Sequence, residues 1–386
     1  MAVFFVSCPL NYENHLVEEI KTFWFEMMDL DGMPTREPLP EFSVEAGGVE
    51  MKVPEHIGYQ LNFFSKIAHR ILIRIHSFES RFYDQFEREM KVVPLPKWIP
   101  KCQIKIKIET VKSRLNHERN LLEVCDRVLP ALGYTPVHAE DADHQLFIRI
   151  VKDRTTLSLD TSGEHLHRRG YAVYRGEAPL RENLSALVNQ IAVQSGFDSS
   201  TMTLIDPFAG SGTNIFEMAS LLQPNFKRDY AWLHFLNKPK IFNSDSWFKN
   251  FRWLQTPKKL NAVAVEIDEK SVANIEKNKE LFNEMYPQVQ LNLKVIHHDS
   301  SQLKAADFDS NQTYWLVSNP PYGIRLKNDA VPSMFTHIES LISLKGALIL
   351  HPESMRIQFK RLRLSSEIDF ANQGLNIKMS QFSKPS

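Results

Sequence analysis

Residues 201–222, TMTLIDPFAGSGTNIFEMASLL, carry the pattern that decides the fold. A strand-like run, TMTLI, leads into Asp206-Pro207-Phe208-Ala209-Gly210-Ser211-Gly212-Thr213, and NIFEMASLL continues as a helix. Glycines at a strand-to-helix turn let a ligand come close to the backbone. A dinucleotide fingerprint, G-x-G-x-x-G, would need a third glycine where Ile215 stands, and no Gly-Lys-Ser/Thr follows to make a phosphate loop. An acid, Asp206, precedes the glycines and suits a cationic ligand, of which the methionyl ammonium of S-adenosylmethionine is one. A plain tight turn after a buried strand is the competing reading of these eight residues taken alone.

Downstream, strand-like and helical stretches alternate. NAVAVEID (261–268), LNLKVIHHD (291–299), TYWLVSNPP (313–321) and GALILH (346–351) read as strands, and SVANIEKNKELFNEM (271–285) and SMFTHIESLISL (333–344) as helices between them. That order predicts an α/β domain over 186–386, a Rossmann-like, mainly parallel sheet with helices on both faces. Its ligand belongs beyond the carboxyl ends of the strands. The second strand ends in Glu266-Ile267-Asp268. Glu266 is the candidate for accepting bonds from both ribose hydroxyls, and Asp268 for capping the next helix. Asp299, at the end of the third strand, is placed to accept a bond from an adenine amine. His297 and His298 have no third ligand near them in sequence, so no metal is expected. Residues 224–259 interrupt the alternation with Trp232, Phe235, Trp247, Phe248 and Trp253, and are expected to form a packed helical elaboration.

The fourth strand ends in Ser318-Asn319-Pro320-Pro321-Tyr322-Gly323. An exocyclic amine on a base is planar, because its lone pair is delocalised into the ring. The side-chain carbonyl of Asn319 and the backbone carbonyl of Pro320 can each accept one amine hydrogen. Those bonds favour a pyramidal nitrogen with its lone pair aimed at a methyl donor, so catalysis is positioning and charge stabilisation. Pro320 and Pro321 stiffen the step and remove competing donors, and Tyr322 offers a flat face for an extruded base. Cys8, Cys102 and Cys125 all precede the strand region, so no thiol is at hand for a covalent attack on a pyrimidine ring carbon.

The whole chain has 386 residues, enough for two or three domains, and its 46 Lys+Arg balance 46 Asp+Glu. Zero net charge argues against a wholly basic nucleic-acid-coating protein but leaves room for a local patch. The scattered cysteines suit a reducing compartment. The start lacks a basic, apolar leader, and no apolar run approaches the ~20 residues of a membrane span. A cytoplasmic monomer, away from any membrane, is the expectation.

Residues 1–160 mix element types as an α+β module does. VFFVSC reads as a strand, ENHLVEEIKTFWFEM as a helix, residues 29–40 as a loop, and EFSVEAGGVEMKV as a hairpin about Gly47-Gly48. A helical stretch is expected to end in FFSKIAHRILIRI, followed by the half-exposed strand QIKIKIETV, a helix over LNHERNLLEVCDRVLPAL, and paired strands HQLFIRIVKD and TTLSLDT. Lys101, Lys105 and Lys107 alternate along one strand face, and Lys112, Arg114 and Arg119 follow, a local basic patch of the kind that meets phosphate. Arg168 and Arg169, in the linker 161–185, are further phosphate candidates. Ordinary solvated charge is the competing reading of both groups.

Four stretches resemble the THUMP-containing RNA guanine-N2 methyltransferases, most closely the bacterial branch that acts on 23S ribosomal RNA. DPFAGSGTNIFEMA (206–219) is similar to that family's cofactor loop and helix, and SNPPYGIRL (318–326) to its catalytic motif with Arg325 following. LDTSGEHLHRRGYAVYRGEAPLRENLSA (159–186) resembles its linker, and VKSRLNHERNLLEVCDRV (111–128) the THUMP strand–helix unit. The likeness covers nearly the whole chain. It implies a ferredoxin-like and THUMP RNA-binding module over 1–160 ahead of a class I methyltransferase domain. It implies S-adenosylmethionine held by Asp206, Phe208, Gly210, Gly212, Thr213, Glu266, Ile267, Asp299 and Asn319. It implies a base held by Asn319, Pro320, Pro321 and Tyr322, with 23S RNA as partner and guanine N2 as target. The sequence departs from the family at Asn11-Tyr12-Glu13, where Gly-Leu-Glu is usual, and at Lys66, where arginine is usual; both bear on RNA contacts. Guanine-N2 methylation of transfer RNA, N6 methylation of DNA adenine, and a non-catalytic RNA-binding scaffold are the alternatives. The first-module reading weighs against the second of these, and the intact Asn319 against the third.

Overall fold

A computed structural model describes residues 1–29, 37–137, 142–176, 180–243, 247–251, 256–321, 330–372 and 375–385. The chain divides into two units, Met1–Leu166 with Asp229–Trp253, and His167–Arg228 with Leu254–Ser386.

The first unit is built on β1 (Ala2–Ser7), α1 (Glu13–Phe23), β2 (Ser43–Glu45), β3 (Gly48–Val53), α2 (Glu55–Phe64), β4 (Arg70–Glu79), α3 (Tyr83–Met90), β5 (Gln103–Val111), α4 (Glu118–Val128), β6 (Thr135–Val137), β7 (His144–Val151) and β8 (Arg154–Asp160). Its strands form one sheet in the order β2-β3-β1-β4-β8-β7-β5-β6, with β5 parallel to both neighbours and the other pairs antiparallel. The hairpin expected at Gly47-Gly48 joins β2 to β3, and Gly47 turns it with a φ of +85° that favours glycine. The expected helix through FFSKIAHRILIRI is corrected. α2 stops at Phe64, and Arg70–Glu79 forms β4 between β1 and β8. Ile71 and Ile73 alternate into the core, and ladder partners on both sides outweigh the helical reading of the segment.

Residues 229–253 complete this unit's core rather than elaborating the second domain. Trp232 stacks on Tyr59 with ring centroids 5.0 Å apart and planes 3° from parallel. Phe63 meets Trp232 at 5.5 Å and Trp247 at 4.7 Å, and Phe242 stands edge-on to Trp232 at 4.9 Å. The Trp232 backbone N–H donates to the Thr161 carbonyl at 3.1 Å, and the Tyr59 hydroxyl to Asn237 Oδ1 at 3.1 Å. Among the described residues the expected packed helical elaboration contains no α-helix. Single 3-10 turns at Ala231–His234, Lys240–Asn243 and Trp247–Asn250 carry the aromatics, and burial of the rings holds them. Trp253 and the side chain of Phe248 lie outside what is described.

The second unit comprises α5 (Glu182–Gln194), β9 (Met202–Asp206), α6 (Thr213–Ser220), β10 (Lys258–Glu266), α7 (Glu269–Met285), β11 (Val289–His297), β12 (Thr313–Ser318), α8 (Ala330–Leu341), β13 (Ser343–His351), β14 (Arg363–Asn372) and β15 (Leu375–Ser383). The sheet order is β11-β10-β9-β12-β13-β15-β14. The first five strands run parallel, and β15 is antiparallel to both neighbours. The expected Rossmann-like, mainly parallel sheet is therefore present, with a closing hairpin, β14–β15, that the alternation did not announce. Ile205, Val263, Leu316 and Ile349 from four strands pack with Val331, Phe335 and Ile338 of α8. β9 is central: its successor β10 lies on one side and β12 on the other. The crevice at such a reversal of strand order is where ligands bind in open α/β sheets. Among the described residues, no helix is long and apolar enough to cross a membrane.

Candidate active site

The glycine turn closes β9. Gly210 and Gly212 both have left-handed backbone, with φ +56° and +86°. A Cβ on Gly210 would meet nothing within 4 Å, whereas one on Gly212 would lie 2.7 Å from the Phe216 ring. Gly210 thus faces open space, and Gly212 is required by packing against its own helix. Asp206, buried at 1% exposure, accepts three hydrogen bonds from the protein. Its Oδ1 accepts from the Phe208 N–H (3.1 Å) and the Ser318 hydroxyl (3.0 Å), and its Oδ2 from Asn214 Nδ2 (2.9 Å). Burial lifts its pKa to about 6, against the pull of those three donors, and the charge of Glu266 adds to the rise. The carboxylate expected to meet a ligand cation is first of all a hub of the scaffold. Phe208 lies half-buried against Phe335, with ring centroids 5.8 Å apart, and Thr213 starts α6.

Glu266 ends β10 and ties it to the turn. Its Oε2 accepts from the Gly210 N–H at 2.7 Å, and its Oε1 from the N–H groups of Ile267 and Asp268 at 3.0 Å each. A carboxylate offers about four acceptor positions, so one remains, which is less than the pair of ribose bonds expected of it. Asp268 caps α7 as expected, accepting from the Ser271 N–H at 2.8 Å, and hydrogen bonding from the Ser271 side chain, then from its backbone, holds the carboxyl below the usual range. Ile267 leaves 64% of its surface exposed at the same strand end, an apolar face beside polar groups. Asp299 accepts from the Ser301 N–H at 2.8 Å through Oδ1. The Ser300 hydroxyl next to it donates to the Pro207 carbonyl, drawing the end of β11 to the glycine turn.

Asn319 follows β12, the neighbour of β9. Its Oδ1 is buried and has no hydrogen-bond partner among the described residues. A buried acceptor left open costs free energy unless something supplies a donor. Pro320 is buried and Pro321 half-buried. Tyr322 and Arg325 lie outside the described residues.

The RNA candidates separate. Lys112, Arg114 and Arg119 are exposed, with Arg119 paired to Glu123 at 3.1 Å. Lys105 is buried, and the Lys107 ammonium lies 5.7 Å from the Phe147 ring centre, so the expected basic strand face is only partly open to solvent. Arg168 is exposed. Arg169 is a correction. At 2% exposure it pairs with the buried Glu217 through Nε (3.3 Å) and Nη2 (3.2 Å), and the Tyr171 hydroxyl joins the same carboxylate. Burial opposes the charge of Arg169, but Glu217 outweighs it and raises the guanidinium pKa above its usual value. Such a side chain does not reach phosphate. Three contributors went unread in the sequence: Ser318, Asn214 and Ser185, all buried and all bonded into the Asp206 hub. Only Ser185, between Leu184 and Ala186, carries an advance signal, a polar residue amid apolar ones; Asn214 and Ser318 each border another polar residue.

Residues 169–341 match the family described as RMKL-like, methyltransferase domain. The chain is 25% identical over 358 residues to the ribosomal RNA large subunit methyltransferase K/L of Cellvibrio japonicus, covering 87% of this chain and 44% of that protein. It thus spans under half the length of that relative. It is 26% identical over 296 residues to the putative RNA methyltransferase YpsC of Bacillus subtilis, covering 71% of each. The structure of SMU.472, a putative methyltransferase complexed with SAH, superposes with a TM-score of 0.76 at 20% identity, over 100% of this chain and 98% of that one. That likeness shows the class I methyltransferase fold. The glycine turn, the strand-end carboxylates and Asn319 all fall within the segment that matches the RMKL-like methyltransferase domain.

Proposed function

We propose that the protein methylates the exocyclic N2 amine of a guanosine in 23S ribosomal RNA, with S-adenosylmethionine as donor. The observation that carries the reading is the open, buried Oδ1 of Asn319 at the end of β12, one strand from the glycine turn. The residues fit the donor. Gly210 presents backbone to open space, Ile267 an apolar face for a flat ring, and Glu266 and Asp299 carboxylates at neighbouring strand ends. The donor supplies an electrophilic methyl on a sulfonium centre. Asn319 accepts one amine hydrogen at Oδ1, the Pro320 carbonyl accepts the other, and together they orient the nitrogen lone pair. Lys112, Arg114, Arg119 and Arg168 are the exposed cations left to meet RNA phosphates. The names of the Cellvibrio and Bacillus relatives support RNA as the substrate class.

The test is methylation of RNA from cells lacking the enzyme, followed by nucleoside mass spectrometry. N2-methylguanosine in large-subunit RNA is expected, and Asn319→Ala should reduce its formation by roughly a hundred- to a thousandfold. A ring-carbon or ribose-methylated product, or a fully active Asn319→Ala, overturns the reading. Label found only in transfer RNA or on adenine N6 moves it to another substrate of the same site.

A further inference from the structure

We infer that Ser318 is a positioning residue whose hydroxyl, bonded to Asp206, fixes the orientation of Asn319 and couples it to the glycine turn. This rests on the proposed role of Asn319. The ladder between β12 and β9 ends at Leu316 opposite Ile205, two residues short of Ser318. On the other side, β12 pairs with β13 as far as Ser318 opposite Ile349. Asn319 therefore lies beyond both ladders. On the β9 side, the side-chain bond from Ser318 to Asp206, at 3.0 Å, stands where the ladder has already stopped.

The bond belongs to a buried chain. Asp206 Oδ2 accepts from Asn214 Nδ2 at 2.9 Å, and Asn214 Oδ1 accepts from the Ser185 hydroxyl at 2.8 Å. Asn189 Nδ2 donates to the Asn214 carbonyl at 2.8 Å. Ser318, Asp206, Asn214, Ser185 and Asn189 are all buried, so water offers these groups no easy substitute. One hub thus connects α5, the first turn of α6, the glycine turn through the Phe208 N–H, and the residue before Asn319. Ordering of the donor loop and aim of the catalytic amide are mechanically joined at one carboxylate. Glu266, on β10, is the other acid whose charge bears on it.

Ser318→Ala separates the two halves. Methyl transfer to undermethylated large-subunit RNA should lose roughly ten- to a hundredfold in kcat, the loss expected for one hydrogen bond to a charged group. The S-adenosylhomocysteine Kd by calorimetry should stay within roughly twofold, because the donor side of the hub remains. Removing a donor from Asp206 raises the carboxyl further, so the acid limb of the kcat profile should move upward relative to wild type. Ser318→Thr, which keeps the hydroxyl, should restore both kcat and the acid limb. Where Ser318→Ala does not fold, Ser318→Cys, close in volume but a weaker donor, must show the same split. Wild-type kcat, or a loss of donor affinity as large as the loss of kcat, overturns the inference. An inactive Asn319→Ala beside a normal Ser318→Ala sinks this coupling alone. A fully active Asn319→Ala sinks the proposed chemistry as well.

Discussion

The ends of β9 and β12 are neighbours in one sheet and treat their polar side chains in opposite ways. At β9, both oxygens of Asp206 are taken by three protein donors. At β12, Asn319 keeps a buried oxygen open among the described residues. A polar group met on both oxygens by protein donors contributes to the fold, and an unmet buried one imposes a cost that a ligand can relieve. The two strand ends therefore differ: β9 places its carboxylate in the scaffold, and β12 leaves an amide oxygen for the donor that the proposed function assigns to it.

The widest gap should appear in stability. Asp206→Ala leaves the Phe208 N–H, the Ser318 hydroxyl and the Asn214 amide without their acceptor, at about 1–3 kcal/mol for each buried donor left unmet. A loss of ~3 kcal/mol or more in urea unfolding is expected, against less than ~0.5 kcal/mol for Asn319→Ala. Equal losses would erase the distinction. The next effect depends on pH. Burial raises Asp206 from 3.8 to about 6, so the native protein binds that proton more tightly than the unfolded chain. Its stabilising share is fully present below pH 3.8 and is lost as pH rises through about 6. The stability difference between wild type and Asp206→Ala should therefore widen by ~2 kcal/mol on acidification from pH 7 to pH 4. The difference for Asn319→Ala should stay flat, since an amide does not titrate. The smallest effect concerns the two glycines of the turn. Both pay for positive φ on substitution by alanine, but only Gly212 also drives a methyl into Phe216. Gly212→Ala should lower stability by about 1 kcal/mol more than Gly210→Ala, which in turn should weaken S-adenosylhomocysteine binding more per unit of stability lost. Parallel thermal melts and calorimetry decide it.

Alternation alone exposed most of the second unit, because parallel strands between helices are read locally. The glycine turn and Asn319 were equally legible, since each is a short motif at a strand end. What escaped depends on distant partners. Arg168 and Arg169 are the same letter twice; only Glu217, 48 positions away, buries the second. One of the donors to Asp206 is Ser318, 112 positions away, so its role as hub is invisible in residues 201–222. β4 was misread because residues around 64–70 continue a helical pattern, and only its partners β1 and β8 make it a strand. The aromatic insertion was recognised as packed, but which core it would fill was decided by Tyr59 and Phe63, far upstream.

That last feature bears on how the protein is made. The hydroxyl of Tyr59 bonds to a residue 178 positions later, and Trp232 stacks on the same ring. When a ribosome has finished residue 166, the first unit still lacks Asp229–Trp253, and the second unit is begun before that segment arrives. At ~5–20 residues per second, the wait is on the order of ten seconds, with the apolar faces of Tyr59 and Phe63 uncovered meanwhile. The part synthesised first is completed late, and contacts so far apart in sequence form slowly. During that interval the uncovered apolar surface favours aggregation.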